Sequence, residues 1–206
     1  MKELIKDSVL RYAHGFLLGS LTVLVIVIGQ YCFALLDLTP TAGFTVGLFF
    51  TYLLKTLAVA FFEEYLFRVV LLKYIGIIFN NVYFSVLSAS IIFSIAHIGN
   101  EYYTIAAFIS HFLGGIMYCC AYVKTKNIWL PFGLHSGWNL AQVILGMTMN
   151  GSDYRGLFKI DFYLREIYQG GDYGFEGGIV AIVARLFILG YLLFVYKVKA
   201  VSSKPI

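Results

Sequence analysis

The chain has 206 residues, 60% of them hydrophobic and only 13% charged, with a mean hydropathy of +0.83. That balance excludes a water-soluble globular enzyme and implies an integral membrane protein. The formal net charge of +4 requires no nucleic-acid partner, because basic loops beside anionic lipid account for it.

Runs of about 20 apolar residues cross the hydrocarbon core of a bilayer as helix. The sequence offers about six, at residues 16–36, 44–67, 82–98, 105–123, 129–147 and 177–196. The expected fold is therefore all-α, a polytopic transmembrane helix bundle forming a single domain over residues 1–206. The first span follows Lys2, Lys6 and Arg11 as a signal peptide would, but it is long and lacks a small-residue cleavage site, so it reads as a retained helix. Within it Gly15 and Gly19 have the GxxxG spacing that lets helices approach closely, and Gly133 and Gly137 repeat it in the fifth span. Cys32, Cys119 and Cys120 lie in apolar runs and read as small packing residues rather than disulfide or metal-site cysteines. Pro131 stands near the start of the fifth span, where proline removes no helical hydrogen bond. Residues 148–176 mix aromatics, charges and glycines, the composition of an interfacial segment or lid.

Six spans put both termini on one side. To that side fall Lys2, Lys6, Arg11, Arg68, Lys73, Lys124, Lys126, Lys197, Lys199 and Lys204, against Arg155, Lys159 and Arg165 on the other. Lysine and arginine accumulate in cytoplasmic loops. Both termini are therefore expected in the cytoplasm, in a multi-pass protein of a prokaryotic plasma membrane.

An ionisable residue inside a transmembrane helix costs about 2.5–3.5 kcal/mol on insertion scales, and persists where it has partners or a task. "AFFEEYLFRVVLL", residues 60–72, places Glu63, Glu64 and Arg68 in such a run. Glu64 and Arg68 are one turn apart and can pair on one face, while Glu63 points about 100° away and is freer to act. In "FSIAHIG" Phe93 and His97 share a helical face, and in "GLHSGWN" His135 and Asn139 do likewise. A carboxylate can take a proton from water and a histidine can orient that water, while a second His and an Asn can stabilise the oxyanion on a scissile carbonyl. This kit suits peptide hydrolysis without a serine or cysteine nucleophile. Ser94, Ser110 and Ser136 lie near the histidines, but no Ser, His and Asp set is evident. The same donors leave a second choice open, zinc held by Glu63, His97 and His135, although no HExxH occurs and Asn is a poor zinc ligand. His111 reads as a packing residue, and Lys55 and Arg185 as paired or snorkelling cations.

"EEYLFR", "FSIAH" and "HSGWN" resemble the three motifs EExxxR, FxxxH and Hxxx(N/D) of the CPBP family. These are the CAAX-protease and bacteriocin-processing intramembrane peptidases, also called Abi proteins. Order and residue type match at Glu63, Glu64 and Arg68, then Phe93 and His97, then His135 and Asn139, and the similarity runs over about residues 45–150. "GGDYGFEGG" is similar to a glycine-rich stretch before the last helix of many members. The resemblance implies a multi-helix fold with an intramembrane cavity, and a glutamic-type intramembrane endopeptidase acting on a membrane-associated or lipid-anchored peptide. It implies the catalytic set Glu63, Glu64, His97, His135 and Asn139, with Arg68 and Phe93 supporting and no cofactor. Glu63 would be the general base, His97 would hold and activate water, His135 and Asn139 would form the oxyanion hole, and Glu64 with Arg68 would brace the site. The expected partners are the lipid bilayer and an anchored peptide or protein, with no nucleic acid. A bacteriocin self-immunity or binding protein of the same fold without turnover is an alternative. So is a small proton-coupled transporter, since intramembrane Glu and His also mark ion paths.

One tension is geometric. Straight spans put Glu63 and His135 about 6–9 Å from the cytoplasmic ends of their helices and His97 about 22 Å in. Either the third helix tilts, or residues 69–81 dip into the membrane so that it begins deeper.

Overall fold

The computed structural model describes residues 2–196; Lys197, Lys199 and Lys204, counted above toward the cytoplasmic side, lie outside the described residues, as does the side chain of Lys2. Helix occupies every expected span, and three helical runs, Glu3–Cys32, Val46–Phe79 and Ile105–Thr125, are long and apolar enough to cross a membrane. The elements are α1 (Lys2–Cys32), β1 (Leu36–Pro40), α2 (Val46–Glu64), a π-helical stretch (Tyr65–Leu71), α3 (Leu72–Phe79), α4 (Val82–Ile95), α5 (Ile105–Thr125), α6 (Trp129–Leu145), β2 (Phe158–Phe162), α7 (Arg165–Gln169) and α8 (Ile179–Val195). Thr45, Asn81 and Thr104 cap α2, α4 and α5 by accepting a backbone N–H three residues on. Asn80 and Lys126, left-handed at φ 46° and 52°, close α3 and α5.

The second span departs most from expectation. An end at residue 67 would leave Arg68 and Lys73 beyond the span on the cytoplasmic side, but the helix runs on without a break to Phe79. Arg68 is fully buried beside Glu64, so it is a core residue and not a loop charge, whereas Lys73 is exposed. The extension resolves the depth of His97. At 1.5 Å per residue Glu63 lies about 24 Å above the Asn80–Asn81 turn, and α4 climbs back about 22 Å to His97. Motif residues far apart in the chain thus come level, with residues 69–79 continuing the helix.

Helix α6 is the axis of the bundle, with every residue from Leu130 to Val143 buried. It crosses α1 at backbone distance because the two GxxxG pairs face each other. A Cβ on Gly133 or Gly137 would overlap the carbonyl oxygen of Tyr12 or Phe16, and one on Gly15 or Gly19 that of Leu130 or Leu134. Trp138, Tyr118, Phe93 and Phe175 form the core between α4, α5, α6 and α8.

The class is all-α with one small addition absent from the sequence reading. β1 pairs antiparallel with β2, from Leu36 opposite Phe162 to Pro40 opposite Phe158. The 148–176 segment is thereby tied to the α1–α2 connection and, through Asn100 to the Tyr173 hydroxyl at 3.4 Å, to the α4–α5 connection. These three connections form one end of the bundle, the loop face. The other end, the turn face, gathers the first turns of α1, the Asn80–Asn81 and α5–α6 turns, and the end of α8, where His14 meets the Tyr196 hydroxyl at 2.7 Å.

Candidate active site

The motif residues converge from three helical runs. Glu63 and Glu64 end α2, immediately before the π-helical stretch that buries Phe67 and Arg68; such wider turns recur at functional sites. Glu64 is fully buried and uses both oxygens, Oε1 at 2.8 Å from Nδ1 of His135 and Oε2 at 3.1 Å from Nε of Arg68. The Arg68 guanidinium lies over the rings of Phe93 at 4.6 Å and Tyr118 at 5.1 Å, where aromatic faces offset part of the cost of burying it. The His135 ring stacks on Tyr118 at 4.8 Å and 16°. Glu64, Arg68 and Phe93 therefore hold His135 from behind.

Glu63 faces the other way, into a cavity of about 170 Å³ that Phe93, His97, His135 and Asn139 also line. Its Oε2 lies 3.9 Å from Nε2 of His135, too far for a hydrogen bond, and this buried oxygen has no hydrogen-bond partner among the described residues. His97 sits in the turn after α4 with Nδ1 at 2.8 Å from the carbonyl of Phe93. A carbonyl only accepts, so Nδ1 carries the proton and Nε2 is left as an acceptor. In this side-chain arrangement no three His, Cys, Asp or Glu residues meet as a metal-holding group among the described residues.

Two features of the cavity wall lie outside the three motifs. His111, assigned to packing because it matches no motif, is buried against the cavity with its ring 4.1 Å from that of His97. Its Nε2 is 2.5 Å from the Tyr173 hydroxyl, which itself donates to Oδ1 of Asn150 at 2.8 Å. Burial pushes the Tyr173 phenol up, so it stays protonated. Beyond lies a buried ion pair between Glu176 and Arg185; Glu176 also accepts from Nε1 of Trp138 at 2.9 Å, and Arg185 donates to Ser110. The signal was present in the sequence. A glutamate in a glycine-rich segment and an arginine nine residues on in an apolar helix each need a partner, and α8 brings them together.

Residues 45–141, just under half the chain and holding all three motifs, match the family described as type II CAAX prenyl endopeptidase Rce1-like. No match was found among curated proteins or solved structures. Over the core that builds this site the chain is therefore similar to the Rce1-like CAAX endopeptidases, a match consistent with the CPBP intramembrane peptidases.

Proposed function

We propose that the chain hydrolyses a peptide bond of a membrane-associated or lipid-anchored peptide with a water activated by Glu63. The observation that carries this reading is the partnerless buried Oε2 of Glu63, on the wall of a cavity whose other walls hold His97, His135 and Asn139.

A water between Glu63 and Nε2 of His97 gives a proton to the Glu63 carboxylate as its oxygen bonds to the scissile carbonyl carbon. The carbonyl oxygen becomes an oxyanion, which the Asn139 amide and Nε2–H of His135 stabilise. Nδ1 of His135 already donates to Glu64, so this role calls for a ring carrying both protons, with Glu63 and Glu64 as its counter-charges. Collapse breaks the C–N bond, and the proton held by Glu63 passes to the leaving amine.

The bilayer and an anchored peptide are the partners in this reading. In this reading the turn face, where α1 begins and α8 ends, is cytoplasmic; the support is its Lys6, Arg11, Lys73, Lys124 and Lys126 against Arg155, Lys159 and Arg165 on the loop face. The cavity is lined from the loop-face half of the bundle, by His97, Asn139 and Asn150 among others. With the turn face inside, its mouth opens outward.

The test is cleavage of a membrane-anchored peptide library, prenylated C-termini included, by purified protein beside Glu63→Gln and His135→Ala, each with and without a strong chelator. Cleavage lost in both variants and kept with chelator is expected. Loss on chelation with recovery on added zinc would move Glu63, His97 and His135 to ligand roles. Absence of cleavage by the unmodified chain would favour the immunity or transport alternative.

A further inference from the structure

We infer that Lys55 and Tyr154 form a subsite for a carboxylate of the bound peptide, three to four residues from the bond that is cut; this rests on the hydrolase reading. Lys55 lines the same cavity as Glu63 from the same helix. Eight residues of helix separate them, about 12 Å, which an extended peptide spans in three to four residues at about 3.3 Å each.

The charge pattern of the cavity is specific. Of the lysine and the arginine on its wall, Arg185 is neutralised by Glu176. Lys55 pairs with no carboxylate among the described residues. Its Nζ instead donates to the Tyr154 hydroxyl at 3.2 Å and lies 5.1 Å from the centroid of that ring. Tyr154 in turn packs edge-on against Tyr52 at 5.4 Å, whose hydroxyl reaches the Arg155 carbonyl at 3.3 Å. The ammonium is thus held at the rim by Tyr154 of the loop face, which Tyr52 of α2 backs, with donor capacity to spare. A peptide offers two carboxylates that match it, a free C-terminus and an Asp or Glu side chain. A lipid phosphate offers similar chemistry, but the cavity leads from Lys55 inward to Glu63, where a peptide and not a headgroup is acted on.

The experiment uses the full chain carrying Glu63→Gln, to stop turnover, in phosphatidylcholine nanodiscs. The probe is a palmitoylated, fluorescent heptapeptide of alanine and leucine, as free acid, as C-terminal amide, and as amide with Asp at the last position. The free acid, or the acid and the Asp peptide together, should bind about tenfold tighter than the plain amide, which identifies the carboxylate's source. The difference should vanish with Lys55→Met and persist with Lys55→Arg. Equal affinity of all three peptides overturns the subsite, even where the unmodified chain cleaves its library. An affinity that follows added phosphatidylglycerol and ignores the peptide's charge overturns it in favour of a lipid headgroup. A carboxylate preference without any cleavage by the unmodified chain sinks the hydrolase reading, and with it the subsite's place in a reaction.

Discussion

The imidazole of His97 lies flat against that of His111, with 4.1 Å between ring centroids and 19° between planes. One ring faces the cavity and the other is anchored to Tyr173, so the orientation of His97 is set from α5 and from the loop face as well as by its own bond to Phe93. His111→Phe preserves a stacking surface and should leave kcat within about threefold, whereas His111→Ala should lower kcat about tenfold or more at nearly constant KM, since a misplaced reacting group loses rate before affinity. Steady-state kinetics of the two variants would decide it. Equal loss in both would show that the Tyr173 bond, not the stack, matters.

The two adjacent glutamates should separate cleanly. Glu63→Gln removes the proposed base and should reduce kcat by about 10²–10⁴ with little change in melting temperature. Glu64→Gln leaves Arg68 buried without its counter-charge and should lower stability by about 3–5 kcal/mol. Thermal denaturation in detergent, run beside the activity assay, reads both. A stable Glu64→Gln protein would remove the bracing role.

The α1–α6 crossing admits no side chain at Gly15, Gly19, Gly133 or Gly137. Gly133→Ala should destabilise by roughly 1–3 kcal/mol or more, because the added methyl meets backbone that cannot move alone. Gly190, with open space beside its Cα, is the control, and Gly190→Ala should leave the melting temperature unchanged.

Removing one member of the Glu176–Arg185 pair should cost about 3–5 kcal/mol, and removing both should recover much of it, because the penalty lies in the charge left unpaired. Glu176→Ala, Arg185→Met and the double variant form the cycle. Additive losses would mean that the pair is not coupled in the membrane.

Orientation is tested with single cysteines at Ser152 and Lys126 after Cys32, Cys119 and Cys120 are replaced. A membrane-impermeant maleimide should label Ser152→Cys on intact cells and Lys126→Cys only after permeabilisation. The reverse pattern would put the termini outside and the cavity mouth in the cytoplasm.

Much of the site was legible because ionisable side chains in an apolar run are few and their spacing exposes their pairing. Glu64 with Arg68 and His135 with Asn139 could be set on shared faces from residue number alone. The end of the second span was not legible. Arg68 and Lys73 look alike as charges, and only the packing of α4, α5 and α6 around the Glu64–Arg68 pair puts the first in the core while the second stays on the surface. The β1–β2 ribbon escaped because "LDLTP" and "FKIDF" are short and lie in segments rich in turn residues. His111 was passed over because its neighbours, His97 and Tyr173, are distant in the chain and adjacent only once α4, α5 and the loop face are assembled.

The nearly equal climbs from the Asn80–Asn81 turn to Glu63 and to His97 make that hairpin a ruler. A residue inserted in one arm shifts its end by about 1.5 Å and turns it by about 100°. Length changes below the site are therefore tolerable only in matched pairs. The lipid-facing stretch of the hairpin, which touches no reactant, still sets the register of the chemistry through its residue count.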